Sequence, residues 1–522
     1  MSRSPTTMRR IGAAAALMMT AVFLSRVIGY LRDAFIAARF GASSLTDAYY
    51  AAFTIPDFLN MLVAGGTLSI TFLPIYARYL AGDQADEANR VLSIAMTFSL
   101  LLVGGGVALG EIFAPPVLGA YLHKLDAEAL AACVRMTRIL LPAQLFFFAG
   151  ALFSATLYAR GRFAAAALAP LLYNIGIIAG GAALGALVAQ EGLAWGALAG
   201  AVAGPFIVPA ISAWRHGARI VPSLHLRHPG AWEWLKLSLP LYIGVSIVFA
   251  DDWIMRYFAG ADAGAITRLS VAKRLVAVPV AVAGQAVGQA SMPFFARLHA
   301  EGKRDELAGT VAGTLRGAGI VASLVAAWMI ALSVPLVDLL FRRGKFVPAD
   351  VPSTALYTAI FAAAVPLWSL QGLLARMFYA GGDTWKPMLS GTAVTIVSVP
   401  AYAGLYALLG DTGLAVGSGA AILGHTAALA VLAPRFLPEL RGRLGAVGRA
   451  LAAGAALAAL AGAAAWGAAS LVPRGGYRGD MYAVAAGSAA FAVVTWVLAP
   501  RFGIYEPQRL ARRAIDRLRR KS

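Results

Sequence analysis

Ten polar residues in this sequence stand among apolar neighbours: Arg26, Arg32 and Asp33 in SRVIGYLRDAF, Asp47 in LTDAYY, Asp57 and Asn60 in IPDFLN, Asp251 and Asp252 in VFADDWI, and Lys273 and Arg274 in SVAKRLV. Their types suit the recognition of an anion. Guanidinium groups offer a planar fork of donors that matches phosphate, and an ammonium adds a point charge. Arg26, Arg32, Lys273 and Arg274 are therefore candidate anion ligands, with Asn60 as a further polar contact. The carboxylates Asp33, Asp47, Asp57, Asp251 and Asp252 are candidates for gating or charge pairing. Asp251 and Asp252 also leave open an ion or proton site, although pairing with Lys273 or Arg274 is the favoured reading. No catalytic constellation competes: there is no Walker A sequence, Cys133 is the only cysteine, and the six histidines show no ligand spacing. The expectation is a transporter and not an enzyme, with no metal and no cofactor, and with any coupling ion left unidentified.

The elements that carry these residues must be membrane helices. Of the 522 residues, 60% are hydrophobic and 13% charged, and the mean hydropathy is +0.72, far from the composition of soluble domains. Apolar runs recur at a length that spans a hydrocarbon core of roughly 30 Å as a helix, and the alternating ten-residue strands of a β-barrel are absent. The expected class is an all-α polytopic membrane protein of about fourteen spans, near 11–38, 48–79, 91–121, 131–158, 164–187, 193–214, 234–258, 265–297, 309–340, 354–380, 388–409, 413–436, 446–471 and 481–499. The basic start followed by an apolar core resembles a signal peptide, but it runs straight into SRVIGYLRD, so a retained first helix is expected.

Most of the net charge of +19 lies in short segments between spans that collect on one side, including Arg9, Arg10, Arg78, Arg90, Arg160, Arg162, Lys303, Arg304, Lys386, Arg441 and Arg443. That distribution follows topology, not nucleic-acid binding, and the positive-inside rule puts both termini in the cytoplasm. Arg26 then lies about 22 Å along its helix at 1.5 Å per residue, and Asp33 shares its face two turns later. Snorkelling of Arg26 to the outer headgroups and an interfacial Arg32–Asp33 pair are the bland alternatives. The number of ionisable groups at similar depth favours a hydrated cavity.

A repeat organises the chain. GGTLSITFLPIYARYLAG from Gly65 matches GQAVGQASMPFFARLHAEG from Gly284, pairing Pro74 with Pro293 and Arg78 with Arg297 at an offset of 219. The same offset pairs Asp33 with Asp252 and Gly41 with Gly260, and LYARG at Leu157 matches FYAGG at Phe378 with an offset of 221. Six helices per half put both halves in the membrane the same way, related by a pseudo-twofold axis along its normal. The expected organisation is a first lobe at 1–222, a second at 223–440, a C-terminal helix pair at 441–500 and a basic amphipathic tail at 501–522. In that tail Leu510, Ala514, Ile515 and Leu518 share a face suited to the anionic inner leaflet.

The stretch SRVIGYLRDAFIAARFGASSLTDAYYAAFTIPDFL, with GGTLSITFLPIYARY, resembles the N-terminal signature of the MurJ (MviN) lipid II flippases of the multidrug/oligosaccharidyl-lipid/polysaccharide exporter superfamily. FAAAALAPLLYN, KRLVAVPVAVAGQAVGQASMPFFARL, FRRGKF and RMFYAGGDTWKP extend the likeness over nearly the whole chain. The resemblance implies a bacterial inner-membrane flippase for lipid II, the polyprenyl-pyrophosphate precursor of peptidoglycan, and so a role in cell-wall biogenesis and cell shape. It implies two six-helix lobes around a cationic cavity worked by alternating access, and a groove for the lipid tail at the last two helices. It places functionally important charges at Arg26, Arg32, Asp47 and Arg274, the arginines receiving the headgroup and Asp47 helping closure. Lipid II or a related glycolipid, membrane lipids and cell-wall synthesis proteins are the implied partners. A flippase for another polyprenyl-linked oligosaccharide and a non-transporting scaffold of the same fold are the alternatives. The sequence departs from the family where arginines commonly follow IPDFL, having Asn60 and Met61. Gly65 stands for a usual Glu, Asp57 for an Asn and Lys273 for an Asp. These departures suggest that Lys273 compensates for the missing arginines.

Overall fold

The computed structural model describes residues 5–64, 71–238, 247–281, 287–473 and 476–505. The amphipathic stretch at 510–518, the first four residues and Gly65 lie outside this set. The described residues are helical and contain no strand.

Ten helices or helix runs among them are long and apolar enough to cross a membrane: Ala85–Tyr121, Ala127–Ala159, Ala164–Val188, Glu191–Arg215, Arg304–Ala331, Asp350–Ala380, Trp385–Leu409, Asp411–Phe436, Pro438–Ser470 and Tyr477–Phe502. They coincide with ten of the fourteen expected spans. The other four, near 11–38, 48–79, 234–258 and 265–297, each include residues whose placement or side chains are not described. Those four carry or directly adjoin every candidate site residue. Their helices are Pro5–Phe40, Ser44–Ala51 with Thr54–Ala64 and Leu73–Ala81, Ile247–Phe258, and Ala265–Val280 with Val287–Ala300.

The chain divides into two compact units, Met1–Gly244 with Gly260–Thr267, and Val245–Ala259 with Arg268–Ser522. In the first, Tyr76, Val91, Phe148, Leu152 and Trp234 belong to one buried cluster. Trp234, on helix Pro229–Ser238, meets Phe98 edge to face with centroids 5.9 Å apart. That helix therefore packs against Ala85–Tyr121 in the first unit. Small residues set the closest approaches: a Cβ on Gly196 would lie 2.3 Å from the Gly176 carbonyl oxygen, and one on Gly180 2.4 Å from Gly196 Cα. Between helices in lipid, such backbone proximity supplies the van der Waals contact that drives association. The same holds within VGGGVALG, where Gly106 faces Leu59 and Gly110 faces Leu141.

In the second unit Phe295, Val311, Leu373, Phe378 and Leu429 form the corresponding core. Helix Arg441–Ser470 lies along Arg304–Ala331, with Gly319 against Leu451, Gly454 against Ile320 and Gly462 against Ala327. Tyr477–Leu498 then joins through Gly487 at Leu332 and Ala465. Arg342 fastens its start, reaching Asp480 at 3.0 Å and Asp338 at 2.6 Å. The added helix pair is thus integral to the second unit.

The duplication is visible in the backbone at helix ends. Gly41 (φ 73) matches Gly260 (φ 107), Asp83 (φ 57) matches Gly302 (φ 69), Gly161 (φ 68) matches Gly382 (φ 78) and Ala189 (φ 48) matches Gly410 (φ 57). All four pairs fall at offsets of 219 or 221. Left-handed residues are uncommon outside turns and helix C-termini, so coincidence at four helix boundaries shows that the halves break their helices by one plan.

Candidate functional site

In the first unit the site begins on helix Pro5–Phe40. Arg32 donates from Nε and Nη2 to Asp33 Oδ1 at 3.1 and 2.9 Å, and from Nη1 to Asn174 Oδ1 at 2.8 Å. Asn174 lies within the apolar helix Ala164–Val188 and donates to the Pro170 carbonyl at 2.9 Å. Asp33 is buried. A buried carboxylate is tolerated only when paired and hydrogen-bonded, and Arg32 meets that need. A guanidinium has five N–H donors, and these contacts use three of them.

Arg26 lies about one and two-thirds turns earlier. With Ser25, Tyr158, Ala166, Ala167 and Pro170 it lines a cavity of about 280 Å³. Arg26 thus shares a cavity with Ala166, Ala167 and Pro170 of the helix Ala164–Val188 that Arg32 reaches at Asn174, although their backbone positions differ by roughly 120° around their own helix.

Asp47 acts on the backbone. It is buried, and its carboxylate accepts from Gly264 N at 2.8 Å, Thr267 N at 2.7 Å and Thr267 Oγ1 at 2.6 Å. This is a helix N-cap supplied from 217 residues away, and it satisfies donors that the first turn of Ala265–Val280 leaves without intrahelical partners. Gly264 (φ 83) lets the chain turn in against Ala42, which a Cβ would meet at 2.7 Å. The capped turn belongs to the first unit, and the continuation of the helix from Arg268 belongs to the second. Farther along, Asn60 on Thr54–Ala64 donates to buried Gln144 at 3.4 Å, and Asp57, one turn earlier, is exposed. Asn60 is therefore engaged in docking its helix.

In the second unit Lys273 Nζ bonds both Asp251 and Asp252. Asp251 is buried and also accepts from Tyr402 Oη, on Trp385–Leu409, and from Ser418 Oγ at 2.8 Å, on Asp411–Phe436. Three helices thus converge on one carboxylate. Arg274, adjacent to Lys273 and about 100° farther round the helix, is exposed. The structure pairs Lys273 with two carboxylates. Asn174, Thr267, Tyr402 and Ser418 are the partners that sequence reasoning left out. Asn174 had a legible signal, an amide in the middle of an apolar helix; a tyrosine and two hydroxyls in apolar helices have none that separates them from packing.

The sequence model of the lipid II flippase MurJ family matches residues 36–486. The chain belongs to the MurJ family. Similar proteins include the lipid II flippase MurJ of Burkholderia cenocepacia, 30% identical over 416 residues, covering 76% of this chain and 78% of that one. The probable lipid II flippase MurJ of Bdellovibrio bacteriovorus is 28% identical over 448 residues, covering 83% and 84%. Among solved structures, a lipid II flippase MurJ in an inward closed conformation aligns with a TM-score of 0.75 over 93% of this chain and 99% of that one, at 18% identity. An inward-facing multidrug resistance MATE transporter of the MOP superfamily aligns at 0.62 over 83% and 98%, with 16% identity. This MurJ-family chain accordingly has the MOP-superfamily fold, in a multi-pass membrane protein.

Proposed function

We propose that the chain is a lipid II flippase of the bacterial inner membrane, carrying the polyprenyl-pyrophosphate-linked peptidoglycan precursor from the inner to the outer leaflet by alternating access. The match to the MurJ family over residues 36–486 carries this reading. Two of the charged residues already have partners: Asp47 accepts from the backbone at Gly264 and Thr267, and Lys273 pairs with Asp251 and Asp252. Arg26, Arg32 and Arg274 are the residues assigned to the pyrophosphate, because the planar fork of a guanidinium matches it. The reaction forms and breaks no covalent bond, so the protein is a transporter and not an enzyme.

The tail has a matching surface. An apolar groove of about 670 Å³ in the second unit runs between Arg304–Ala331 and Arg441–Ser470, with Ala327, Ile330, Ala459, Gly462 and Trp466 on its walls. Its alanine and glycine lining leaves room for an isoprenoid chain in contact with lipid. Orientation follows the basic segments, with both termini cytoplasmic.

The test is rescue of a bacterium depleted of its own lipid II flippase. The wild-type chain restores growth and lipid II export, and the Arg26→Ala/Arg274→Ala double variant, present in the membrane at equal level, does not. Rescue by that double variant would refute the role of the arginines. Failure of the wild type while correctly inserted would point instead to another polyprenyl-linked glycan.

A further inference from the structure

A second cavity, of about 430 Å³, lies in the second unit and is lined by Met292, Gln371, Gly372, Ala375, Arg376 and Tyr379. Its volume falls within the roughly 300–1,000 Å³ typical of small-molecule sites. Arg376, on helix Val365–Ala380, is half-buried, and its Nη1 donates to the Gly372 carbonyl at 3.1 Å. Among the described residues no carboxylate pairs with it. Arg32, Arg268 and Arg342 each hold an aspartate.

The space for this guanidinium is built by a missing side chain. A Cβ at Gly288, on helix Val287–Ala300, would lie 2.1 Å from Arg376 Nη1. In the first half of the repeat the position matching Arg376 is Ala155, fully buried in the core, and the position matching Gly288 is Ser69. The shared fold therefore closes without an arginine here. The second half combines an arginine with the one residue that leaves it room.

We propose that the Arg376 cavity is an additional anion site that takes the phosphate or pyrophosphate group of a membrane lipid. Arg376 is four residues from the end of its helix at Ala380, about 6 Å along the axis, on the side where the basic segments collect. That is headgroup depth, where lipid phosphates are the abundant anions. The lining is amphipathic in the matching sense. Arg376 and the Gln371 amide provide donors for the phosphate, the exposed Tyr379 stands at the rim, and Met292 and Ala375 give the apolar wall for the first carbons of the chain. Arg26, Arg32 and Arg274 are not among the residues lining this cavity, and the site is read by binding alone, so it stands whether or not the chain exports lipid II.

The test uses the full chain in phosphatidylcholine nanodiscs, with polyprenyl pyrophosphate as probe, in an Arg26→Ala/Arg274→Ala background that weakens the other site. Binding persists in that background, and adding Arg376→Ala weakens it at least tenfold. Gly288→Ala, which keeps the arginine but fills its space, has the same effect and guards against a folding defect in the first variant. A parallel loss with phosphatidylglycerol as probe identifies bulk lipid headgroups as the source of the phosphate; a loss confined to polyprenyl pyrophosphate identifies the prenyl lipid. Binding within twofold of the background in both the Arg376 and Gly288 variants would overturn the site, as would absence of any binding in the background itself.

Discussion

Replacing Lys273 by methionine tests whether this residue is a structural counter-ion or a ligand for a headgroup. Methionine keeps most of the apolar stem and removes the ammonium. Asp251, 1% exposed, then keeps Tyr402 and Ser418 as neutral donors but loses its only described cationic partner. Leaving one member of a buried pair behind costs about 3–5 kcal/mol. The Asp252 side chain is 51% exposed, and its bond to Lys273 is not counted in this figure. At about 2 °C per kcal/mol for a unit of this size, the apparent melting temperature should fall by about 6–10 °C in detergent, read by fluorescence-detected size exclusion.

The companion variant is Asp251→Asn. Its amide oxygen still accepts from Tyr402 and Ser418, and the stranded charge is gone. Lys273→Met/Asp251→Asn should therefore melt several degrees above Lys273→Met alone, with a coupling between the two positions of about 2 kcal/mol or more. If Lys273→Met melts within about 2 °C of wild type while transport is lost, the lysine serves the substrate and the counter-ion account is wrong. Strictly additive effects of the two substitutions would refute it as well.

Three further outcomes follow from the same geometry. Asp47→Ala removes three charge-assisted bonds to Gly264 and Thr267 and should destabilise by about 3 kcal/mol or more; unchanged melting together with unchanged rescue of a flippase-depleted host would contradict the cap. Ala189→Gly should raise stability by about 1 kcal/mol, because Ala189 holds φ 48 and ψ −129, a conformation suited to glycine, and the matching residue in the second half is Gly410; a lowered melting temperature would contradict this. Arg342→Ala should increase hydrogen exchange across Tyr477–Leu498 by leaving buried Asp480 without its cation, and exchange at wild-type rates would show that the clamp is dispensable.

The helical class, the span positions and the duplication were legible because they depend on features that recur along the chain: apolar length, the sidedness of lysine and arginine, and offsets of 219 and 221. The pairing of charges was legible only in part. Arg32 and Asp33 are sequence neighbours and Asp251, Asp252 and Lys273 occupy consecutive expected spans, so their association could be anticipated from the cost of a lone intramembrane charge. The partners on distant helices were a different matter. Asn174 lies 142 positions from Arg32, and Ser418 lies 167 from Asp251, and hydrophobic periodicity places no such residue against another. Asp47 shows the limit most plainly. As an acid near a helix start it reads as a cap for its own helix, yet Ser43 holds that position, its Oγ accepting from Thr46 N at 3.3 Å. The carboxylate is therefore available to cap Ala265–Val280 instead. A cation contributes to anion binding only after the carboxylates have taken their own partners, and composition counts both groups without saying which pairs have formed.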